Sequence, residues 1–209
     1  MVKPASYLII ILIPIFLFLT NVLFLTFNRN YYFALYEKLD IYQSFDQKKQ
    51  AQDATDELLA YLRGEKELEH KFFSTQAKMH LVDVKNLAQT AFIVDLVLLL
   101  VLILAIAKLK LGKNWPVLKQ SIVKGSTLSI FASLIILPLA VFGFSYWFEK
   151  FHLLFFRNKL WLFDAGDNLI KLFPQQFFYA FFLQIILNTT VCAILLLLVV
   201  KFYYDCCTD

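Results

Sequence analysis

The sequence predicts an all-α integral membrane protein: four transmembrane helices, with a small helical extracellular domain between the first and second spans. Three observations predict it. Of 209 residues, 60% are hydrophobic, above the roughly 45–50% of a soluble domain. Four runs each approach or exceed the about 20 apolar residues that a helix needs to cross a ~30 Å hydrocarbon core. Charge is clumped between those runs, with an all-basic cluster in one connection.

The first span is residues 7–27. It is too long for a signal-peptide apolar region, and Asn28-Arg29-Asn30 offers no small-residue cleavage site, so it reads as a retained anchor. Residues 28–90 carry nine basic and ten acidic residues, a balanced surface that can cross a membrane. With a single Gly and no Pro, this segment reads as a folded helical domain. Asp46 is placed to cap a helix running to Arg63, with Gly64 in the left-handed C′ position. Leu58, Leu59 and Leu62 give that helix an apolar stripe. Ser74 is placed to cap the next helix, which runs through His80 and Lys85 into the second span. So small a domain is expected to lie on the membrane and on the other polar segment.

The second span is residues 91–107, and residues 108–127 form a basic loop. Its Lys108, Lys110, Lys113, Lys119 and Lys124 face no acid, which makes it cytoplasmic by the positive-inside rule. The third span is 128–148, and 149–176 is an aromatic extracellular segment expected to dip into the interface. Phe151, Phe155, Phe156, Trp161, Phe163, Phe173, Phe177 and Phe178 crowd there. The fourth span is 177–202, and 203–209 is a cytoplasmic tail. Both termini are therefore expected in the cytoplasm. A net charge of +4, small and localised, argues against nucleic acid.

Few residues offer chemistry. The two polar segments assigned outside hold no Cys, and nothing resembles a P-loop, a nucleotide fingerprint, G-x-S-x-G or H-E-x-x-H. Asp164 and Asp167 flank a Gly turn, but two carboxylates fall short of the six to eight oxygens calcium takes. A turn followed by an Asp helix cap explains them. No metal or cofactor is expected. Asp95 is the acid inside a span, costly unless protonated or paired, with Asn21, Gln184 and Asn188 as candidate partners. All three histidines fall in the outer segments. His80 and His152 flank spans, and two imidazoles near an interface suit acyl transfer, one accepting a proton while the other donates. Taken singly, each is more often a polar tip on an apolar body. His70, in a charged run, reads as solvated. Arg157 and Lys159 can hold lipid headgroups or an oxyanion.

Two longer blocks carry a resemblance. Thr55 to Gly64, then Phe72-Phe73-Ser74 and His80 to Leu87, form the first. Phe151 to Asn158, with Trp161, Asp164, Asp167 to Ile170 and Pro174 to Phe178, form the second, with Ala165 where the family commonly has Pro. Together with the four-span layout they resemble the lipoprotein intramolecular transacylase family across essentially the whole chain. The resemblance implies a bacterial cell-membrane enzyme with its active site at the outer face. Its partners would be diacylglyceryl-modified lipoproteins within membrane lipid. It would move the sn-2 acyl chain from glycerol oxygen to the α-amine of the N-terminal cysteine, giving a lyso-form lipoprotein. It makes His80 and His152 catalytic, and Asp83, Lys85, Arg157 and Trp161 substrate-binding. Two other readings remain: a membrane scaffold or lipid-binding accessory protein, and a metal-dependent hydrolase using His80, His152 and Asp83.

Overall fold

The computed structural model describes residues 2–68 and 71–207; His70 lies outside them. Seven α-helices and one 3-10 turn follow one another, with no strand among the described residues. They are α1 (Val2–Thr26), α2 (Arg29–Lys38), the 3-10 turn Ile41–Ser44, α3 (Lys48–Arg63), α4 (Thr75–Leu111), α5 (Trp115–Phe155), α6 (Asn168–Leu172) and α7 (Gln175–Cys207). Four of them, over Lys3–Thr26, Thr75–Leu111, Trp115–Phe155 and Gln175–Phe202, are long and apolar enough to cross a membrane. The helices run well past the apolar stretches. α4 has 37 residues, ~55 Å at 1.5 Å per residue, against a ~30 Å hydrocarbon core. The basic stretch after it is helical too, apart from a tight turn at 112–114 in which Lys113 is left-handed, with φ 54°.

Two compact units divide the chain. The first holds residues 1–22, 92–139 and 183–209. Its core meets at helical spacing: Ala5, Ile9 and Ile13 of α1, Leu102, Ala105 and Leu109 of α4, and Leu118 of α5. Small residues let α1 and α5 approach closely, the usual basis of packing between membrane helices. A Cβ on Gly125 would stand 3.0 Å from Ile13 Cδ1 and 3.2 Å from the carbonyl oxygen of Ile9. One turn earlier the hydroxyls of Ser6 and Ser121 hydrogen-bond at 2.7 Å. Large apolar side chains such as Ile93, Leu100, Leu104, Phe131 and Ile135 are exposed, as lipid-facing positions would be.

Asp95 finds a partner the sequence did not indicate. Thr20 Oγ1 donates to both its carboxylate oxygens, at 3.1 and 3.2 Å. The expected partners are satisfied elsewhere: Asn21 Nδ2 donates to the Leu17 carbonyl at 2.7 Å, and Gln184 Nε2 to Asn188 Oδ1 at 2.8 Å. Both amides close bonds at a spacing of four within their own helices, which removes them from competition for the carboxylate.

The second unit joins residues 23–91 with 140–182, so the two polar segments do pack on each other. Its core is aromatic, with Tyr32, Tyr36, Phe72, Phe73, Phe173 and Phe177 buried among the leucines and alanines of α3. Three of the eight aromatics expected at the interface therefore serve a different purpose. Phe156, Phe173 and Phe177 are buried in the protein, whereas Phe151, Phe155 and Phe178 remain exposed. A unit this small has little aliphatic side chain to bury, and aromatic rings supply large area per residue. The Tyr36 hydroxyl is hydrogen-bonded to Thr55 at 2.8 Å, and Thr55 donates to the Ala51 carbonyl, so the polar atoms in this core are satisfied.

The helix starts and stops carry their own chemistry. Gly64 ends α3 at φ 80°, as its position in the sequence predicts. The start of α3 differs, because Gln47 occupies the N-cap and makes no side-chain cap bond. Asp46 lies one residue too early for its carboxylate to serve N2 or N3. Ser74 precedes α4 and its Oγ accepts from the Ala77 amide at 3.1 Å, while donating to Asp167 Oδ2 at 2.7 Å. Asp167 in turn caps α6, accepting from the Leu169 amide at 2.8 Å.

Candidate active site

Gln76, His80 and Asp83 occupy one stripe of α4, at spacings of four and three residues, so the helix period puts all three on one face. Within the same unit, His152 sits in the last turn of α5. The two imidazoles come together with ring centroids 6.3 Å apart and planes 28° from parallel. Neither is a surface residue: His80 is 7% exposed and His152 8%.

Their nitrogens are held differently. His152 Nδ1 lies 2.7 Å from the carbonyl oxygen of Phe148, one turn earlier. A carbonyl only accepts, so Nδ1 carries the proton, and the lone pair of the neutral ring is on Nε2. His80 Nδ1 is buried with no hydrogen-bond partner among the described residues. A buried polar atom without a partner is uncommon, and a catalytic role is one of the recognised reasons for it.

Aromatic rings wall the pair. Phe156 touches both imidazoles, at 4.9 Å from His80 and 5.5 Å from His152. Phe163 lies 5.7 Å from His80, and Trp161 and Phe148 lie 4.8 and 4.4 Å from His152. Three of these rings belong to the turn that follows α5, and α4 holds that turn in place. Gln76 Nε2 donates to the carbonyls of Leu160 and Leu162, at 3.1 and 2.8 Å. Asn158 Nδ2 donates to Asp83 Oδ2 at 2.8 Å, its Oδ1 accepts from the Leu160 amide, and its carbonyl accepts from Trp161 Nε1. The stripe that presents His80 thus also clamps the wall around His152.

The residues singled out in the sequence separate on this geometry. His80, His152 and Trp161 meet. Asp83 is on the same face but is engaged by Asn158. Lys85 is about 140° around the helix from His80 at 100° per residue, and its Nζ rests 4.2 Å over the Tyr61 ring. Arg157 is exposed beside the turn. Gln76 and Asn158 had no role assigned from the sequence, and Phe156 and Phe163 were expected there only as interfacial aromatics. The one available signal was the spacing of Gln76 and Asp83 around His80.

A groove of about 440 Å³ adjoins His152 through Phe148 and Trp161, with Leu153 and Leu162 adding apolar wall. Glu149, Asn158, Lys159, Ser145 and Gln175 supply its polar lining. Two buried imidazoles beside a part-apolar groove can move protons for a reaction on a lipid. Among the described residues no three His, Cys, Asp or Glu gather as a metal site.

Comparison with known proteins bears on what that reaction is. A search of curated protein sequences finds no match. The crystal structure of the membrane integral lipoprotein intramolecular transacylase Lit from Bacillus cereus superposes with a TM-score of 0.83 at 22% identity, covering 98% of both chains. A variant of that protein with one histidine replaced by arginine matches at 0.82 and 24% identity, over 98% of this chain and 92% of that one. At such identities the likeness concerns the fold, and it agrees with a multi-pass membrane protein. The sequence model of the lipoprotein intramolecular transacylase Lit family matches residues 7–178, through the first three membrane-crossing helices and both histidines to the start of α7, and the chain belongs to that family of membrane acyltransferases.

Proposed function

We propose that the protein moves an acyl chain from the glyceryl oxygen of a diacylglyceryl-cysteine lipoprotein to the α-amine of that cysteine, with His80 and His152 as the proton-transfer pair. The convergence of the two imidazoles in a buried aromatic frame carries the reading. The amine has a reference pKa of ~8, so it needs a base before it can attack. His152 is that base, because the bond from Nδ1 to Phe148 leaves Nε2 as the accepting atom. The amine nitrogen attacks the ester carbonyl, a carbon–nitrogen bond forms, and an oxyanion develops. Collapse breaks the carbon–oxygen bond to glycerol, and the departing oxygen takes up the proton that His152 removed from the amine, passed on through the imidazole pair. Nothing is gained or lost, so the product is an isomer of the substrate. Nucleophile and ester share one molecule, and the protein's main contribution is to hold them within attacking distance. Trp161 packs the substrate against His152, and Arg157 meets its polar peptide from the exposed turn. Asp83 acts through Asn158, and Lys85 stands at the edge beside Tyr61.

Purified protein in detergent, given a diacylglyceryl lipopeptide and no phospholipid, should convert it without change in intact mass. Fragmentation should find one acyl chain moved from the glyceryl part to the N-terminal nitrogen, and amine-reactive reagents should no longer label the product. A gain in mass that requires added phospholipid would remove the intramolecular assignment.

The enzyme sits in the bacterial cell membrane with both termini cytoplasmic and the histidines at the outer face. The five lysines, with no acid among them, at the end of α4, in the turn and over the first part of α5 support this orientation. In a background lacking the native cysteines, Gln52→Cys should react with an impermeant maleimide on intact cells, and Lys113→Cys should not. Labelling of position 113 alone would put the histidines in the cytoplasm.

A further inference from the structure

The acids around the histidines differ in what occupies them. Asp83 accepts from Asn158, and Asp167 accepts from Ser74 and from the first turn of α6. Glu149 is different. It lines the groove beside His152, it is exposed, and its carboxylate has no hydrogen bond or ion pair among the described residues. It stands three residues before His152 on α5, the spacing that puts two side chains next to each other on one helix face. Phe148, the neighbouring residue, both lines the groove and touches the His152 ring at 4.4 Å. Glu149 therefore offers an unused anionic acceptor at the mouth of the groove, one helical turn from the base.

On the reaction proposed above, the substrate reaches this site with an α-ammonium that must be steered to one imidazole. We propose that Glu149 is the substrate's ammonium-binding residue, holding the N-terminal amine of the lipoprotein in the groove beside His152. The inference rests on the transacylase reading. It assigns the groove to the polar end of the substrate, where charge matches charge, with the apolar surfaces of Leu153, Trp161 and Leu162 left for the lipid-bearing cysteine. A charge-assisted bond at this point selects free-amine substrates over N-acylated ones, so the product, whose amine is now an amide, loses its hold. Recognition and product release then come from the same contact.

The test uses two competitors that cannot react: a dialkyl, ether-linked lipopeptide with a free α-amine, and the same compound N-acetylated. Against conversion of the diacylglyceryl lipopeptide by the wild-type protein in detergent, the free-amine competitor should inhibit at least about tenfold more tightly, the size expected for a hydrogen bond between charged groups. Glu149→Gln should raise KM for the substrate and collapse that preference to within about twofold, and Glu149→Asp should restore part of it. General damage to the groove weakens both competitors equally and leaves their ratio unchanged. A preserved ratio in Glu149→Gln, with or without weaker binding overall, would overturn the assignment. Failure of the wild-type protein to convert the lipopeptide would instead remove the transacylase reading itself.

Discussion

Replacing either His80 or His152 should lower turnover by about 100- to 10 000-fold, the range that general acid–base catalysis supplies. Burial shapes the choice of variant. Both rings are packed against aromatic neighbours, so Ala at either position opens a space and mixes a packing defect with a chemical one. Asn is cleaner at position 152, because its Nδ2 can keep donating to the Phe148 carbonyl while no basic nitrogen remains. His152→Asn should therefore melt close to wild type and stay inactive. His80→Asn should be equally inactive, and the double variant should lose no more than either single, since groups that act as one unit are non-additive. His70→Ala should turn over as wild type. Conversion by His152→Asn at near wild-type rates would take that residue out of the mechanism.

Gly125→Leu should cost more stability than any polar substitution in the first unit. The added Cβ alone would meet Ile13 at 3.0 Å and the Ile9 carbonyl at 3.2 Å, and the latter is backbone that cannot turn away. Three further carbons have no room, so α1 and α5 must separate. That breaks the Ser6–Ser121 hydrogen bond and exposes Ile9, which is fully buried. Overpacking of this kind costs about 1–3 kcal/mol or more. Thermal unfolding in detergent, followed by circular dichroism, should show a clear drop in Tm. Gly166→Leu is the control, because a Cβ there meets nothing within 4 Å. Equal melting of the two variants would remove the close helix contact from the account of stability.

How far the sequence reveals this molecule depends on the reach of each interaction. Long apolar runs report the membrane helices, because hydrocarbon imposes its demand on every residue of the run. Caps are similarly local, so Ser74, Asp167 and Gly64 are readable from their spacing. Asp46 misleads because it and Gln47 both precede a helix start, and one residue decides which side chain reaches the amides. The histidines point to a site only through the block resemblance, as neither has a local signature. Gln76 and Asn158 are silent for a stronger reason: they bind atoms 75 to 86 positions away in the chain. Two of those three acceptors are main-chain carbonyls, which any residue type would provide. Thr20 hides its role likewise, since a threonine in an apolar run looks like filler until a carboxylate 75 residues on faces it.

The Ser74–Asp167 bond has one more consequence. Helix ends ordinarily fray one at a time, each losing a turn without regard to the others. Here a single hydroxyl–carboxylate contact belongs to two caps at once, since Ser74 holds the first turn of α4 and Asp167 the first turn of α6. Loosening either end strips the other of a partner. The two starts therefore open as one cooperative event rather than two independent ones, and Gln76, one residue into α4, opens with them. The turn that walls the histidines is fastened at a place where fluctuation is pooled and made rarer, although it is itself exposed loop.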